Sequence, residues 1–319
     1  MIITLTPNPS HDQTVTLPGP LARGEVLRAE STLTQAGGKG VNISRASVAA
    51  GIPSIAVLPA AKDDPYVLEL LSAGIDCRPV PTDGAVRVNI TITEPDGTTT
   101  KLNSLGPTVS AEVLDELAES LTRRASTADW IVMAGSLPPG APAGWYADLV
   151  ALLRSGGARL AVDTSDEPLQ ALVDRLPLCA PHLMKPNAEE LASLTGTDPE
   201  RLEADPHAAA KAAGVLLDLG VEAVLATLGA RGGVLVTGSG AWHATPPPVD
   251  VASTVGAGDS SLFGYLLGDL RHEAPAARLA LALAYGSAAA TLPGTTIPLP
   301  SQVHPDLVTV HELNLTRER

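Results

Sequence analysis

Near its carboxyl end the chain reads Ser253-Thr254-Val255-Gly256-Ala257-Gly258-Asp259-Ser260-Ser261, and an apolar-periodic segment runs on from Ser260 to Leu270. The period predicts a helix that begins directly after three small residues, whose lack of bulk lets the backbone approach a ligand. Amide N–H groups and the dipole at a helix N-terminus form an anion-binding cradle. A carboxylate beside this cradle, Asp259, suits phosphoryl transfer, in which a base accepts a hydroxyl proton. Taken alone, the four residues Gly256 to Asp259 are explained better by a tight turn that ends in a helix cap.

The rest of the chain alternates between two kinds of apolar pattern. Runs of strand length lie at Ile2 to Leu5, Ile55 to Leu58, Trp130 to Ala134, Leu160 to Val162, Leu183 to Lys185, Val224 to Thr227 and Gly233 to Val236. Helical periods lie at Val41 to Ala50, Ala111 to Leu121, Tyr146 to Arg154, Ala188 to Leu194 and Ala208 to Leu219. This alternation predicts βαβ units, and therefore an α/β, Rossmann-like fold with a mostly parallel sheet covered by helices on both faces.

One segment departs from this rhythm and predicts a hairpin. Residues Val86 to Thr93 alternate apolar and polar, a turn follows at Glu94-Pro95-Asp96-Gly97, and the alternation resumes from Thr98 to Leu102. A half-polar hairpin of this kind is equally compatible with a small lid over the sheet and with an antiparallel edge of the main sheet.

Composition limits the classes of function. The chain has 319 residues, 45% of them hydrophobic, and a formal charge of −14, which argues against nucleic acid or an anionic membrane as a partner. Cys77 and Cys179 lack the spacing of a metal site or a disulfide framework. No secretory signal precedes the first strand pattern, and the stretch from Leu279 to Leu292 predicts a buried helix rather than a membrane span. We expect one domain over residues 1–319 and a cytoplasmic protein.

A second glycine-rich loop, Ala36-Gly37-Gly38-Lys39-Gly40-Val41-Asn42, also precedes a helix. It is not a Walker A loop, because that motif has Gly where this chain has Leu33 and Ser or Thr where it has Gly40. Lys39 and Asn42 are suited to hold hydroxyl groups or a phosphate of a polar substrate. A purely structural loop is an equal alternative.

Two further turns follow predicted strands. Asp12, in Thr6-Pro7-Asn8-Pro9-Ser10-His11-Asp12, is placed to accept hydrogen bonds from sugar hydroxyls, although an Asx-turn residue explains it as well. His11 is expected to be a surface neighbour. The segment from Thr227 to Gly233 is compatible with a ligand site or with a simple β-turn.

The run Lys185-Pro186-Asn187-Ala188-Glu189-Glu190 leaves a strand and enters a helix. Asn187 followed by Glu190 at this spacing is typical of a capping box. The same two side chains also suit the organisation of Mg²⁺ and its waters beside phosphates. The spacing by itself does not separate these two interpretations.

These motifs, taken in their order, resemble the ribokinase-like sugar kinases of the phosphofructokinase-B type. The resemblance covers almost the whole chain, and it also includes Gly135-Ser136-Leu137-Pro138. The Thr-Pro-Asn-Pro opening, Arg87 in the hairpin and Pro293-Gly294-Thr295 are most similar to the branch that holds 1-phosphofructokinase and tagatose-6-phosphate kinase. The resemblance implies a small β-lid built from segments around 10–35 and 86–103, with a homodimer formed through the lid. It also implies ATP as phosphoryl donor and Mg²⁺ as cofactor.

The resemblance also implies a role for each site residue. Asp259 is then the catalytic base, and its anion hole is formed by Gly256, Ala257 and Gly258. The phosphosugar is held by Asp12, Gly38, Lys39, Asn42, Arg87 and Asn103. The nucleotide is held by Lys185, Asn187, Thr227, Gly229, Gly232 and Ser287. The metal is met by Asn187 and Glu190, through water.

The implied reaction is phosphoryl transfer from ATP to a phosphorylated ketohexose, first of all fructose 1-phosphate. Tagatose-6-phosphate kinase and 6-phosphofructokinase activity remain alternatives, because lid geometry sets the position of the phosphate. A non-catalytic sugar-phosphate or nucleotide sensor is the alternative from another class. An oxidoreductase is disfavoured because no GxGxxG motif follows the first strand.

Overall fold

Two β-sheets and a set of helices form the regular structure of residues 1–314, which are the residues described by this computed structural model. The strands are β1 (Ile2–Leu5), β2 (Ser10–Thr16), β3 (Ser31–Gly37), β4 (Ser54–Pro59), β5 (Asp76–Val80), β6 (Arg87–Thr93), β7 (Thr99–Leu102), β8 (Trp130–Ala134), β9 (Arg159–Asp163), β10 (Leu183–Met184), β11 (Ala223–Thr227), β12 (Gly233–Thr237), β13 (Gly240–Thr245) and β14 (Thr309–Leu313). The helices are α1 (Lys39–Ala49), α2 (Pro65–Ser72), α3 (Ala111–Thr122), α4 (Trp145–Leu153), α5 (Asp166–Val173), α6 (Leu176–Cys179), α7 (Ala188–Thr195), α8 (Pro199–Ala204), α9 (Pro206–Asp218), α10 (Ala257–Leu270) and α11 (Pro275–Ala290).

The larger sheet has ten strands in the order β14-β13-β12-β11-β10-β9-β8-β1-β4-β5. All neighbours from β11 to β5 are parallel, whereas β11 to β14 pair in an antiparallel way. The predicted α/β fold with a mostly parallel sheet is therefore confirmed. Short hairpin connections explain the antiparallel pairing of β11, β12 and β13, because no crossover helix separates these strands, whereas α10 and α11 lie between β13 and β14.

Helices cover both faces of this sheet because its central strands are apolar on both sides. Along β1, Ile3 belongs to the apolar core that includes residues of α3, α4 and α9, whereas Ile2 belongs to the core that includes residues of α1, α10 and α11. Both side chains have no exposed surface. Alternate residues of a strand point to opposite faces, so a continuous apolar run is what a strand covered on both faces needs.

The position of β1 creates a crevice in the sheet. From β1 the chain continues to β4 and β5 on one side, and then returns to β8 on the other. Loops that leave β1 and β8 therefore diverge at their carboxyl ends. Open α/β sheets bind ligands at such a switch point, and the segments after these two strands carry Asn8 and Ser136 to it.

The predicted hairpin belongs to a separate four-stranded sheet, with the order β3-β2-β6-β7. An antiparallel edge of the main sheet, the other interpretation of this segment, is wrong. Strand β2 pairs in parallel with β6, so that Ser10 lies opposite Arg87 and Asp12 opposite Asn89. This pairing joins two segments that are far apart in sequence, which a local alternating pattern does not reveal.

Helix α10 begins at Ala257, three residues earlier than its apolar period indicates. Gly256 is the N-cap residue and has a left-handed backbone with φ of 79°, which strongly favours glycine. Asp259 consequently lies inside the first turn of the helix. The predicted buried helix near the carboxyl end is α11, and within residues 1–314 no helix is both long and apolar enough to cross a bilayer.

Candidate active site

A cavity of about 460 Å³ lies where the carboxyl ends of the central strands face the four-stranded sheet. Most of the residues singled out from the sequence line it, although they come from six separate segments. These are Asp12, Gly38, Lys39, Asn42, Arg87, Lys185, Asn187, Glu190, Thr227, Gly256, Gly258 and Asp259. The structure thus places the sugar-side and metal-side candidates around one space, together with the segment Gly256 to Asp259, which we call the anion loop. We call this space the polar cavity.

A second cavity of about 750 Å³ adjoins the first. It is lined by Gly229, Gly232 and Ser287, which complete the set of nucleotide-side candidates, and by Ala257 of the predicted anion hole. Its wall is largely apolar and includes Pro246, Pro247, Pro248, Val251, Leu283 and Ala290. The two cavities share three lining residues, Asn187, Thr227 and Gly258. A polar molecule and a partly apolar one can therefore meet at the anion loop.

The anion loop presents its amide groups to this junction. The first helical hydrogen bond of α10 is donated by Ser260 N to Gly256 O (2.9 Å), so the N–H groups before Ser260 precede the regular helical pattern. The N-cap residue is a glycine and supplies no side chain to cap them. A methyl group added to Gly258 would lie 3.3 Å from Lys185 Nζ. Ala257 N donates only a long hydrogen bond, to Thr254 O (3.4 Å). The loop thus combines helix N-terminal amides outside the helical hydrogen-bond pattern with a nearby ammonium group, a combination that attracts phosphate.

Asp259 is buried beside these amides and accepts a hydrogen bond from Asn42 Nδ2 (2.7 Å). Burial raises the pKa of Asp259 to about 6, against the opposing charge of Lys39, and the nearby Asp163 carboxylate adds to the increase. A base with a pKa close to neutral is ionised at neutral pH and still accepts a proton readily. The geometry therefore suits proton abstraction from a hydroxyl group in the polar cavity.

A second carboxylate, Asp163, holds two lysine side chains at the same site. Its side chain has no exposed surface, and its oxygens lie 2.8 Å from Lys39 Nζ and 3.3 Å from Lys185 Nζ. Burial alone would raise the pKa of Asp163, but Lys185 and Lys39 hold it below its ordinary value. Burial likewise favours neutral Lys39, yet Asp163 and Asp259 raise its pKa above the ordinary value. Lys39 therefore remains cationic at this site, and Lys185 Nζ lies beside the anion loop.

The four-stranded sheet contributes the opposite wall of the polar cavity. Asp12 accepts hydrogen bonds from Ser10 Oγ (2.7 Å) and Asn89 Nδ2 (3.2 Å), and burial raises its pKa. It lies within β2, so the Asx-turn interpretation is wrong. Arg87 donates from Nη1 to Ser104 O (2.7 Å) and from Nη2 to Asn8 O (3.1 Å). Its Nε atom is buried without a hydrogen-bond partner.

Asn187 and Glu190 form the capping box that their spacing predicts. Asn187 N donates to Glu190 Oε2 (2.8 Å), and Glu190 N donates to Asn187 Oδ1 (2.8 Å). Both residues nevertheless line the polar cavity, and burial raises the pKa of Glu190. The structural role and a role beside a metal therefore do not exclude each other. Within residues 1–314, no group of three or more His, Cys, Asp or Glu side chains is placed to hold a metal ion.

Two residues named from the sequence lie apart from this arrangement. Asn103 is exposed in the segment after β7 and lines neither cavity, whereas its neighbour Ser104 contacts Arg87. His11 is partly buried, packs edge-on against Tyr66 with ring centroids 5.4 Å apart, and has Nε2 3.9 Å from Asp64. The expectation that His11 is only a surface neighbour is therefore wrong.

Sequence reasoning missed Asp163 and the polar side chains around Asp12. Asp163 ends the run Leu160-Ala161-Val162, and a carboxylate at the end of a buried parallel strand is a signal that was available. Asn89 lies within the alternating hairpin, where a polar residue is expected on the solvent face. Only its pairing opposite Asp12 gives it a role at the site.

The site and the fold together define a class of protein. A mostly parallel α/β sheet carries an anion cradle, a buried carboxylate and two lysines at the junction of two cavities, which is the arrangement of a phosphoryl-transfer enzyme acting on two substrates. The model of the pfkB family carbohydrate kinases matches residues 8–302, and the chain belongs to this family. The resemblance drawn from the motifs is confirmed. The chain is thus a carbohydrate kinase, and the phosphoryl donor is ATP.

Individual relatives cover nearly the whole chain. It is 36% identical over 318 residues to 1-phosphofructokinase of Haloferax volcanii, with 97% of this chain and 99% of that protein covered. It is 39% identical over 298 residues to 1-phosphofructokinase of Rhodobacter capsulatus, with 90% of each covered. Among solved structures, phosphofructokinase-2 of Escherichia coli in complex with substrates and products matches with a TM-score of 0.86 at 28% identity, covering 94% of this chain and 96% of that one.

Proposed function

We propose that this kinase transfers the γ-phosphoryl group of ATP to the 6-hydroxyl group of fructose 1-phosphate and forms fructose 1,6-bisphosphate and ADP. The observation that carries this proposal is the position of Asp259 at the junction of the polar cavity and its apolar-walled neighbour. The hydroxyl proton passes to Asp259, the new O–P bond forms, and the bond between the γ-phosphorus and the ADP oxygen breaks. The names of the relatives support fructose 1-phosphate as the acceptor.

The polar cavity offers complementary groups for a phosphosugar. Lys39 and Asn42 lie beside Asp259, and Asp12 approaches from the four-stranded sheet. Groups that donate or accept hydrogen bonds to hydroxyl groups therefore surround the sugar. We assign the existing phosphate of the sugar to Arg87, whose buried Nε atom has no hydrogen-bond partner among residues 1–314. Gly38 has φ of 120°, and its Cβ position would lie 2.6 Å from Thr6 Cγ2, so only glycine fits there.

The adjoining cavity suits the nucleotide. Its apolar wall around Pro247 and Leu283 is appropriate for a base, and Lys185, Asn187 and Thr227 lie toward the anion loop. We assign Gly229, Gly232 and Ser287 to contacts with the rest of the nucleotide. Gly256, Ala257 and Gly258 then stabilise the charge that develops on the transferred phosphoryl group.

The residues present fit Mg²⁺ bound mainly by phosphate oxygens and water. Mg²⁺ in kinases is typically held by one or two carboxylates together with substrate phosphates. Glu190, in its capping box with Asn187, provides a carboxylate at the edge of the polar cavity. When bound, the ion neutralises phosphate charge. Loss of activity in excess chelator, restored by added Mg²⁺, is the expected result.

We also propose that the four-stranded sheet acts as a lid within one domain and pairs with a second copy of the chain. The face of this sheet that points away from Asp12 exposes Val88 and Leu102, and Leu105 is exposed in the segment after β7, so apolar side chains are uncovered there. Sedimentation equilibrium is expected to give a dimer, and Val88→Asp/Leu102→Asp a monomer. A wild-type monomer at micromolar concentration would contradict the pairing.

The substrate is tested by ADP release with ATP, Mg²⁺ and a panel of acceptors: fructose 1-phosphate, fructose 6-phosphate, tagatose 6-phosphate, fructose and ribose. We expect fructose 1-phosphate to have the highest kcat/KM. A preference for fructose 6-phosphate or tagatose 6-phosphate would change the proposed acceptor but would leave the assignment as a kinase unchanged. ATP binding without turnover on any acceptor would favour a sensor.

Substitution of Arg87 tests the phosphate site. We expect Arg87→Ala to raise KM for fructose 1-phosphate by about 10- to 100-fold, because a hydrogen bond to a charged group contributes about 1.5–3 kcal/mol. KM for ATP should change little. Unphosphorylated fructose serves as the matched control, since a general loss of lid structure would weaken both sugars. Equal increases in KM for the two sugars would contradict the assignment of Arg87 to the phosphate site.

The pH dependence tests the ionisation of the base. Only ionised Asp259 accepts a proton, and its pKa is about 6. We therefore expect kcat/KM for the acceptor to be constant above this pH and to fall about tenfold per pH unit below it. The measurement is a rate profile from pH 5 to 8 at constant ionic strength. A profile that stays flat to pH 5 would be inconsistent with this assignment.

A further inference from the structure

A third cavity of about 670 Å³ lies at the edge of the main sheet, away from the active site. It is bounded by β5, α2 and the end of α3, and among residues 1–314 it shares no lining residue with the two catalytic cavities. Helix α2 lines it through Val67 and Leu71. Tyr66 of the same helix donates to Gly37 O (2.5 Å), next to Gly38 of the polar cavity. This volume lies in the range of small-molecule sites.

The charge of this cavity is opposite to that of the chain. Its lining includes four cationic side chains, Lys62, Arg78, Arg123 and Arg124, and one carboxylate, Glu116. The whole chain has 21 Lys and Arg against 35 Asp and Glu. A cluster of four cations around one concave surface is therefore a local positive potential on an acidic protein, which attracts anions.

Neighbouring acids compensate this cluster only in part. Arg78 pairs with Asp76, and Arg123 pairs with Glu119 at 2.9 Å, but both pairs are exposed and such pairs hold their partners weakly. A competing anion can therefore reach these guanidinium groups without breaking a buried contact.

Among residues 1–314, Arg124 has no acidic hydrogen-bond partner, and its Nη1 donates to Ser120 O (2.7 Å) and Oγ (3.0 Å). Burial lowers the pKa of Arg124, and the charges of Arg78 and Arg123 lower it further. The positive groups are thus close enough to repel one another, and a bound anion would relieve that repulsion.

The remaining lining is apolar and gives the ligand a second feature. Val67, Leu71, Cys77 and Val80 form this part of the surface, together with Pro79 and Pro81. We propose that the cavity is a second ligand site, which binds a phosphorylated small molecule. The phosphate lies among Lys62 and the arginines, and the carbon portion lies against the apolar residues.

Calorimetric titration with inorganic pyrophosphate tests the site in protein without bound nucleotide. The test variant is Lys62→Gln/Arg123→Gln, because both side chains are exposed and their loss leaves the core intact. The matched control is Arg201→Gln/Arg271→Gln, which removes two exposed charges outside all three cavities. Pyrophosphate that enters the catalytic cavities contributes equally to both variants, so the comparison is independent of the proposed sugar substrate.

We expect the dissociation constant for pyrophosphate to be about tenfold higher in the test variant than in the control, because two charge-assisted contacts are lost. Glu116→Gln removes the carboxylate at the cavity and is expected to tighten binding by about threefold. Equal dissociation constants in the two double variants, or the absence of binding heat in wild type and control, would overturn the site.

Discussion

Asp259→Asn is expected to lower kcat by about 10²- to 10⁴-fold, which is the usual contribution of a general base. Asparagine has nearly the same shape, so it keeps the first turn of α10 and the anion loop, but it cannot accept the proton of the attacking hydroxyl group. The dissociation constant for ATP should change little, because the amides before Ser260 are backbone groups. Single-turnover kinetics and equilibrium nucleotide binding together measure the effect.

Asp115→Asn provides the matched control, since Asp115 is exposed on α3 and lines neither catalytic cavity. Its kcat should equal that of the wild type. The acid limb near pH 6 should also disappear from the residual activity of Asp259→Asn. Near-normal turnover in this variant would exclude Asp259 as the base, whatever the substrate.

Asp163→Asn is expected to reduce the free energy of unfolding by about 3–5 kcal/mol, because removal of one partner leaves buried charge without compensation. Lys185 is 5% exposed and would lie beside Lys39 without the carboxylate between them. Urea unfolding at pH 7 measures this loss. The variant Asp148→Asn is the control: it breaks the exposed pair with Arg175 (2.7 Å), for which about 0–1 kcal/mol is expected.

The same substitution should move the pH profile. The Asp163 carboxylate raises the pKa of Asp259, so its loss should shift the acid limb of kcat/KM to lower pH. A purely structural role would reduce stability without that shift. An unchanged acid limb in folded Asp163→Asn would therefore contradict electrostatic coupling between the two carboxylates.

Much of the candidate site was predictable because its residues belong to local motifs. Gly256 to Asp259, Lys39 with Asn42, and Asn187 with Glu190 each combine a turn and a helix start within a few residues, and short-range geometry is encoded locally. The capping box formed with the predicted pairing. The start of α10 was predicted three residues late, because small residues carry no apolar period even though they are helical.

Asp163 and the hairpin are two features whose roles local sequence patterns do not predict. Asp163 has no motif around it, and its importance arises from Lys39 and Lys185, which lie 124 and 22 positions away. The alternating hairpin was compatible with two sheets, since alternation shows that one face is polar but not which strand is the neighbour. Pairing between β2 and β6 resolves this choice.

By itself, the sequence determined the α/β class, the positions of most strands and helices, and the local loops that carry the anion cradle. These depend on periodicity and on backbone preferences of neighbouring residues, which short segments express. Tertiary structure alone decided that Asn42 lies 2.7 Å from Asp259, that Asp163 joins two lysines, and that four cations surround a cavity at the sheet edge. Distances and burial of this kind depend on segments far apart in the chain, and they set the charges and pKa values from which chemistry follows.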